Sequence, residues 1–208
     1  MNMKRSWILL SALLLMAGTV LAQTSDLTPE EEQAVKQQAK VKVETFTQYV
    51  SFVASKEYED DVRATYAKAA LDLFLGKGKE WKDAFGNTKP APQMQVSSLN
   101  PRTNQVTVQE YAVALYMHNL QYLNYTKVHV ESSKASFISS IKKTGTNEYE
   151  TTLTYVQIFI GERDGIVIYK DKTTKTVKVI LKRIGDEQYH RWDVLLGDIA
   201  VSATEPTY

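Results

Sequence analysis

Three histidines could in principle hold a metal or move a proton: His118, His129 and His190. Zinc sites need three or four ligands brought close together, usually with a local pair such as i, i+4 on a helix. Here the separations are 11 and 61 residues, with no local pair and no cysteine anywhere in the chain. His129 alternates with Lys127 and Glu131, opposite Val128 and Val130, which reads as the wet face of a strand. The missing thiols also exclude disulfides, a cysteine nucleophile and iron–sulfur chemistry. No metal and no cofactor is expected. There is no P-loop, GxGxxG, GxSxG, HExxH or EF-hand loop.

Ligand-binding chemistry has better candidates. The segment Thr151–Ile160 carries Leu153, Tyr155, Gln157 and Phe159 on one face and Thr152, Thr154, Val156, Ile158 and Ile160 on the other. Both faces are largely apolar, so the segment reads as a central strand. Tyr155 and Gln157 would suit a site that is mostly apolar with a few directed polar groups. Tyr111, Tyr116, Tyr122 and Tyr125 cluster nearby in sequence, and Tyr111 joins the candidate ligand-binding set. Between Lys170 and Arg183 stand six bases, Lys175 among them, against one Asp171. That pattern fits an edge strand protected by lysines, or a ribbon that attracts an anionic partner.

These residues must be positioned by a helical front and a strand-rich back. Thr28-Pro29-Glu30-Glu31 is an N-cap, a first-turn proline and a capping-box glutamate. Ala39, Val43, Phe46, Val50 and Val53 then recur every three or four residues, predicting a helix over 28–56. A second is expected over 60–74, ended by Gly76 and Gly78. After an irregular stretch with a short strand near Met94–Val96, Thr107-Val108-Gln109-Glu110 reads as another capping box, opening a helix from Val108 to Leu120. Strands are expected at 126–131, 135–141, 151–160, 166–170, 176–184 and 190–201. Asp164-Gly165 and Asp171–Lys175 are the expected hairpin turns, and Gly197-Asp198 a bulge. Helices followed by antiparallel strands predict one α+β domain rather than an alternating α/β chain.

This order of elements resembles the NTF2-like (cystatin-like α+β) superfamily, over roughly Thr28 to Val201. The resemblance implies a curved sheet wrapped around the helices to form a conical pocket. It also implies two classes of function, since the family holds both small enzymes and non-catalytic binding modules. Its enzymes use an Asp or Glu general base whose pKa is raised in an apolar pocket. By that analogy Asp193 is the best-placed base, with Tyr155 as hydrogen-bond donor. Alternation puts Asp193 beside Arg191 and Leu195, so an exposed Arg191–Asp193 pair is the simpler reading.

The first 22 residues give an address. Lys4 and Arg5 precede an apolar run from Trp7 to Val20, and Val20-Leu21-Ala22 supplies small residues for cleavage. The run is short for a membrane span, which needs about 20 apolar residues. Export with cleavage after Ala22 is therefore expected, to a bacterial periplasm or beyond. The remaining 186 residues carry 23 bases against 24 acids, so nothing general attracts nucleic acid or an anionic membrane. The expected function is a soluble binding or interaction module whose partner is a small ligand or a protein, a homodimer through the sheet face included. The alternative is a small lyase or isomerase.

Overall fold

The computed structural model describes residues 26–206 apart from 101, 104, 187 and 188. The expected signal peptide lies outside them. Helix α1 runs from Pro29 to Ala54, and both halves of its capping box form: Thr28 Oγ1 accepts from Glu31 N–H (3.2 Å) and Glu31 Oε2 accepts from Thr28 N–H (2.9 Å). Its buried face is the expected one, Val35, Ala39, Val43, Phe46, Val50 and Val53. Helix α2 (Asp60–Leu71) stops three residues short of Phe74. Gly76 and Gly78, both at positive φ, instead turn the chain after Phe74, whose backbone bridges to Leu196.

The capping box expected at Thr107 does not form. Residues Val106–Ala112 are a strand, paired in full with Gln93–Leu99. Thr107 Oγ1 contacts Ser98 Oγ (2.8 Å), and Glu110 accepts from the Gln95 amide (3.1 Å), so both side chains serve the ladder. Val106, Val108 and Tyr111 favour extended backbone, and a waiting partner strand outweighs a local cap. The third helix, α3, is only Val113–Leu120.

In chain order the strands are β1 (Trp81–Lys82), β2 (Thr88–Lys89), β3 (Gln93–Leu99), β4 (Val106–Ala112), β5 (Lys127–Ser132), β6 (Ser136–Phe137), β7 (Lys142–Gly145), β8 (Glu148–Arg163), β9 (Ile166–Gly185) and β10 (His190–Pro206). β1 and β2 pair with each other; the large sheet runs β4-β3-β10-β9-β8-β5, with β6 and β7 also on β8. Among the strand pairs of the described residues, β3–β10 is parallel and the others antiparallel. Helices packed on this curved sheet make the α+β layout that the NTF2-like resemblance implies. The turn at Asp164-Gly165 is present, both residues at positive φ. β10 shifts register between Leu196 and Ile199, where Gly197-Asp198 was expected to bulge.

Two other expectations fail together. Asp171–Lys175 is not a turn but the middle of the 20-residue β9, with Asp171 opposite Phe159 and Lys175 opposite Tyr155. Nor is β9 an edge strand, since β8 and β10 flank it. The segment looks like a turn because it is polar on both faces. Its inward residues, Asp171, Thr173 and Lys175, are all buried. Of the expected strand 135–141 only Ser136–Phe137 forms, as β6, and β7 begins just beyond it at Lys142.

Glu31 ties α1 to the sheet. Its carboxylate accepts from Thr28 N–H, from Trp192 Nε1 (3.1 Å) and from His190 Nε2 (2.5 Å). The backbone N–H of Thr28, then His190, hold its pKa down at about 2. A carboxylate depressed below its unfolded value of 4.5 contributes stability above that pH and loses it as the pH falls toward 2. Glu31→Gln should therefore cost about 1–2 kcal/mol at pH 7. In urea titrations the gap to wild type should close between pH 4.5 and 2. A pH-independent gap would mean that the charge is not what matters.

Candidate functional site

A cavity of about 270 Å³ opens where the first half of β9 meets α3 and β3. α3 carries Tyr116, Asn119 and Leu120 to it, and the chain that follows adds Leu123 and Tyr125. β3 and β4 contribute Val96, Ser97, Ser98 and Tyr111; β8 contributes Gln157 and Phe159. The inward positions of β9 complete the wall with Tyr169, Asp171, Thr173 and Lys175, spaced two apart so that all face one way.

One end is aromatic. The rings of Tyr125, Phe159 and Tyr169 lie with centroids 5.9–6.5 Å apart. Gly161 makes this possible: a Cβ there would meet the Tyr125 ring at 2.5 Å. Gly161→Ala should push Tyr125 into the cavity, cutting affinity for a ring-sized ligand about tenfold or more while leaving the backbone unstrained. Unchanged binding would show that this wall is not used.

Beside these rings lie two buried charged side chains. Asp171 is 4% exposed and Lys175 3%. Tyr169 O–H donates to Asp171 Oδ2 (2.6 Å) while its oxygen accepts from Leu99 N–H (3.2 Å). Burial raises the Asp171 carboxyl above the usual carboxylate range, opposed by Tyr169, by Lys175 and by a backbone bond at Phe159. Burial lowers the Lys175 amine to about 8, against the pull of Asp171. Burial likewise raises the Tyr116, Tyr155 and Tyr169 phenols. Among the described residues, no carboxylate lies within ion-pairing distance of Lys175 and no hydrogen bond engages its ammonium. Ser97 Oγ and Thr173 Oγ1, 3.2 Å apart, join β3 to β9 beside this pair.

Of the residues singled out in the sequence, Gln157 and Tyr111 line the cavity. Tyr155, on the same face of β8, is not among the lining residues; it is 2% exposed, and its hydroxyl has no hydrogen-bond partner among the described residues. Asp193 is elsewhere. It sits opposite Lys182 on β10, off the buried Val194–Leu181 pair, with the Lys42 ammonium as its charged neighbour. Tyr155 pairs with Lys175, seven residues along β9 from Lys182, so the structure does not bring Asp193 and Tyr155 together. It shows no Arg191–Asp193 ion pair among the described residues either. His118 stacks against Tyr122 (4.9 Å), His129 lies 3.5 Å from Glu131, and His190 serves Glu31. Among the described residues, no three His, Asp or Glu side chains gather as metal ligands would.

The sequence reading missed Asp171, Lys175 and Tyr169. Their signal was an acid, a threonine and a base at alternate positions, with β-prone residues on both sides. Read as strand, such a run puts three polar groups on the core face, where side chains persist only with partners or a cavity.

Comparison of the sequence with protein-family models and with curated proteins returns no match. Among solved structures, the chain is similar to a crystal structure from Novosphingobium aromaticivorans described as that of a candidate scytalone dehydratase. The TM-score is 0.40 and the identity 9%, covering 86% of this chain and 92% of that one. That likeness transfers no site residue and no activity.

Proposed function

We propose that the protein binds a small molecule, mostly apolar and ring-sized with one polar end, in the cavity between α3 and β9. The observation that carries this reading is the burial of Asp171 and Lys175 together in the wall of a chamber that also holds the rings of Tyr125, Phe159 and Tyr169. Ionisable groups kept out of water without a direct ion pair cost stability. A ligand group that bonds to them would recover part of that cost, while Tyr125, Phe159 and Tyr169 take the apolar end. A cavity of about 270 Å³ is at the small end of ligand sites, so single-ring molecules fit best. Calorimetric titration with benzyl alcohol, benzaldehyde and benzoate should give one-to-one binding for at least one of them, lost on Gln157→Leu or Lys175→Met. Equal heats from wild type and both variants would contradict the assignment.

A second reading, a small lyase or isomerase, has one observation in its favour. A carboxyl with a raised pKa in an apolar site is suited to proton transfer, and here it belongs to Asp171 rather than Asp193. Turnover of a bound ligand that disappears in Asp171→Asn, with binding retained, would establish it.

We further propose that binding takes place outside the cytosol, a reading supported by the Lys4/Arg5, apolar-run and Val20-Leu21-Ala22 series. N-terminal sequencing of protein from the envelope fraction should read from Gln23. Met1 at that terminus would refute export.

A further inference from the structure

We propose that Lys175 captures small aldehydes or ketones covalently, forming an imine with a carbonyl compound seated in the cavity. The inference rests on the binding reading above and adds the chemistry of the ligand's polar end. A lysine amine attacks a carbonyl when it is held unprotonated, kept from competing partners and faced by space for the substrate. Lys175 meets the last two by its position and the first in part. It lines the cavity from β9, shielded from bulk water, in the same chamber as the rings of Tyr125, Phe159 and Tyr169. No ion pair or hydrogen bond among the described residues engages its nitrogen. The acid on its own strand face, Asp171, is already held by Tyr169. The other titratable groups near it, Tyr116 and Tyr155, are phenols kept neutral by burial. The lowered basicity of the amine leaves a usable fraction unprotonated near neutral pH, where an exposed lysine has almost none.

The reaction balances without a co-reactant. The amine lone pair forms a C–N bond to the carbonyl carbon, and the carbonyl π pair moves to oxygen. One proton passes from nitrogen to that oxygen, giving a carbinolamine. The hydroxyl then leaves as water, taking a second proton, while nitrogen closes the C=N bond and loses its remaining proton. With no carboxylate within bonding distance of the nitrogen among the described residues, these protons move through water that enters the cavity.

The test is reductive trapping. The protein is incubated with benzaldehyde and sodium cyanoborohydride, digested, and each lysine peptide is scored for a benzyl group. Lys175 should be labelled about tenfold faster than the more exposed Lys170 and Lys172 at pH 7.5, with a rate that reaches half its maximum near pH 8. Lys175→Arg should abolish the fast label while retaining the charge and the fold. Labelling spread over exposed lysines, with Lys175 spared, overturns the proposal. Benzyl alcohol has no carbonyl and separates the two readings. If calorimetry shows that it binds while benzaldehyde leaves Lys175 unmodified, covalent capture is wrong and the binding reading stands. If neither of these molecules nor benzoate binds, both are wrong.

Discussion

Lys175→Met should make the protein more stable, by about 1–3 kcal/mol at pH 7. A buried amine whose pKa falls from 10.5 to about 8 is, when protonated, a net cost to the folded state even with Asp171 nearby. Methionine fills a similar volume without a charge. The sign can be checked through pH. Between about 8 and 10.5 the unfolded chain binds more protons at this site, so wild-type stability rises with pH across that window. The variant lacks that rise, and its advantage shrinks. The raised Tyr116 and Tyr155 phenols act in the opposite sense, but only above about pH 10, and equally in both proteins. Urea unfolding at pH 7 and pH 10 measures both effects. A variant less stable than wild type at pH 7 would show that Lys175 supports the fold rather than the site. Residues that cost stability where a ligand docks are the usual mark of function traded against folding.

Arg63→Met should go the other way, costing about 3 kcal/mol. The Arg63 guanidinium, in the first turn of α2, is 7% exposed. Nη1 donates to the Gln121 carbonyl (2.9 Å) and the Val53 carbonyl (3.4 Å), and Nη2 to Asp60 Oδ1 (2.5 Å). Gln121 is the C-cap of α3, and Val53 lies in the last turn of α1. One cation therefore satisfies carbonyls that two helices leave unpaired at their negative ends. Because α3 delivers Tyr116, Asn119 and Leu120 to the cavity, ligand affinity should fall along with stability. Arg63→Lys should recover only part of the loss, since one ammonium cannot reproduce the planar fork across three acceptors. A cost under about 0.5 kcal/mol in urea titrations would show that both helix ends find other donors.

How much of this was legible in the sequence follows from how local each signal is. The α1 cap and stripe are contained within a few residues and were read correctly. The Thr107–Glu110 motif was equally local, but seven ladder pairs with β3 outweighed a cap. The cavity was half visible. Gln157 and Tyr111 sit in segments whose periodicity is plain, whereas Asp171 and Lys175 were hidden because polarity on both faces of β9 mimics a turn. No single-sequence pattern shows that an inward polar triplet meets open space, because that space is made by α3 and β3 closing over the strand. Asp193 was weighed both ways, as a pocket base by analogy and, more simply, as a residue of a wet strand face. Its flanking apolar residues suggested a pocket, but register puts it one position off the buried row, opposite Lys182.

Tyrosine rings offer the most direct test of the cavity as a binding site. In spectra of protein carrying ¹³C-labelled tyrosine, each of benzyl alcohol, benzaldehyde and benzoate is titrated in turn. With at least one of them, shifts should be confined to Tyr111, Tyr116, Tyr125 and Tyr169, which line the cavity. The exposed Tyr58 and Tyr189 should not move. Shifts scattered over exposed rings, or none with any of the three, would contradict the account.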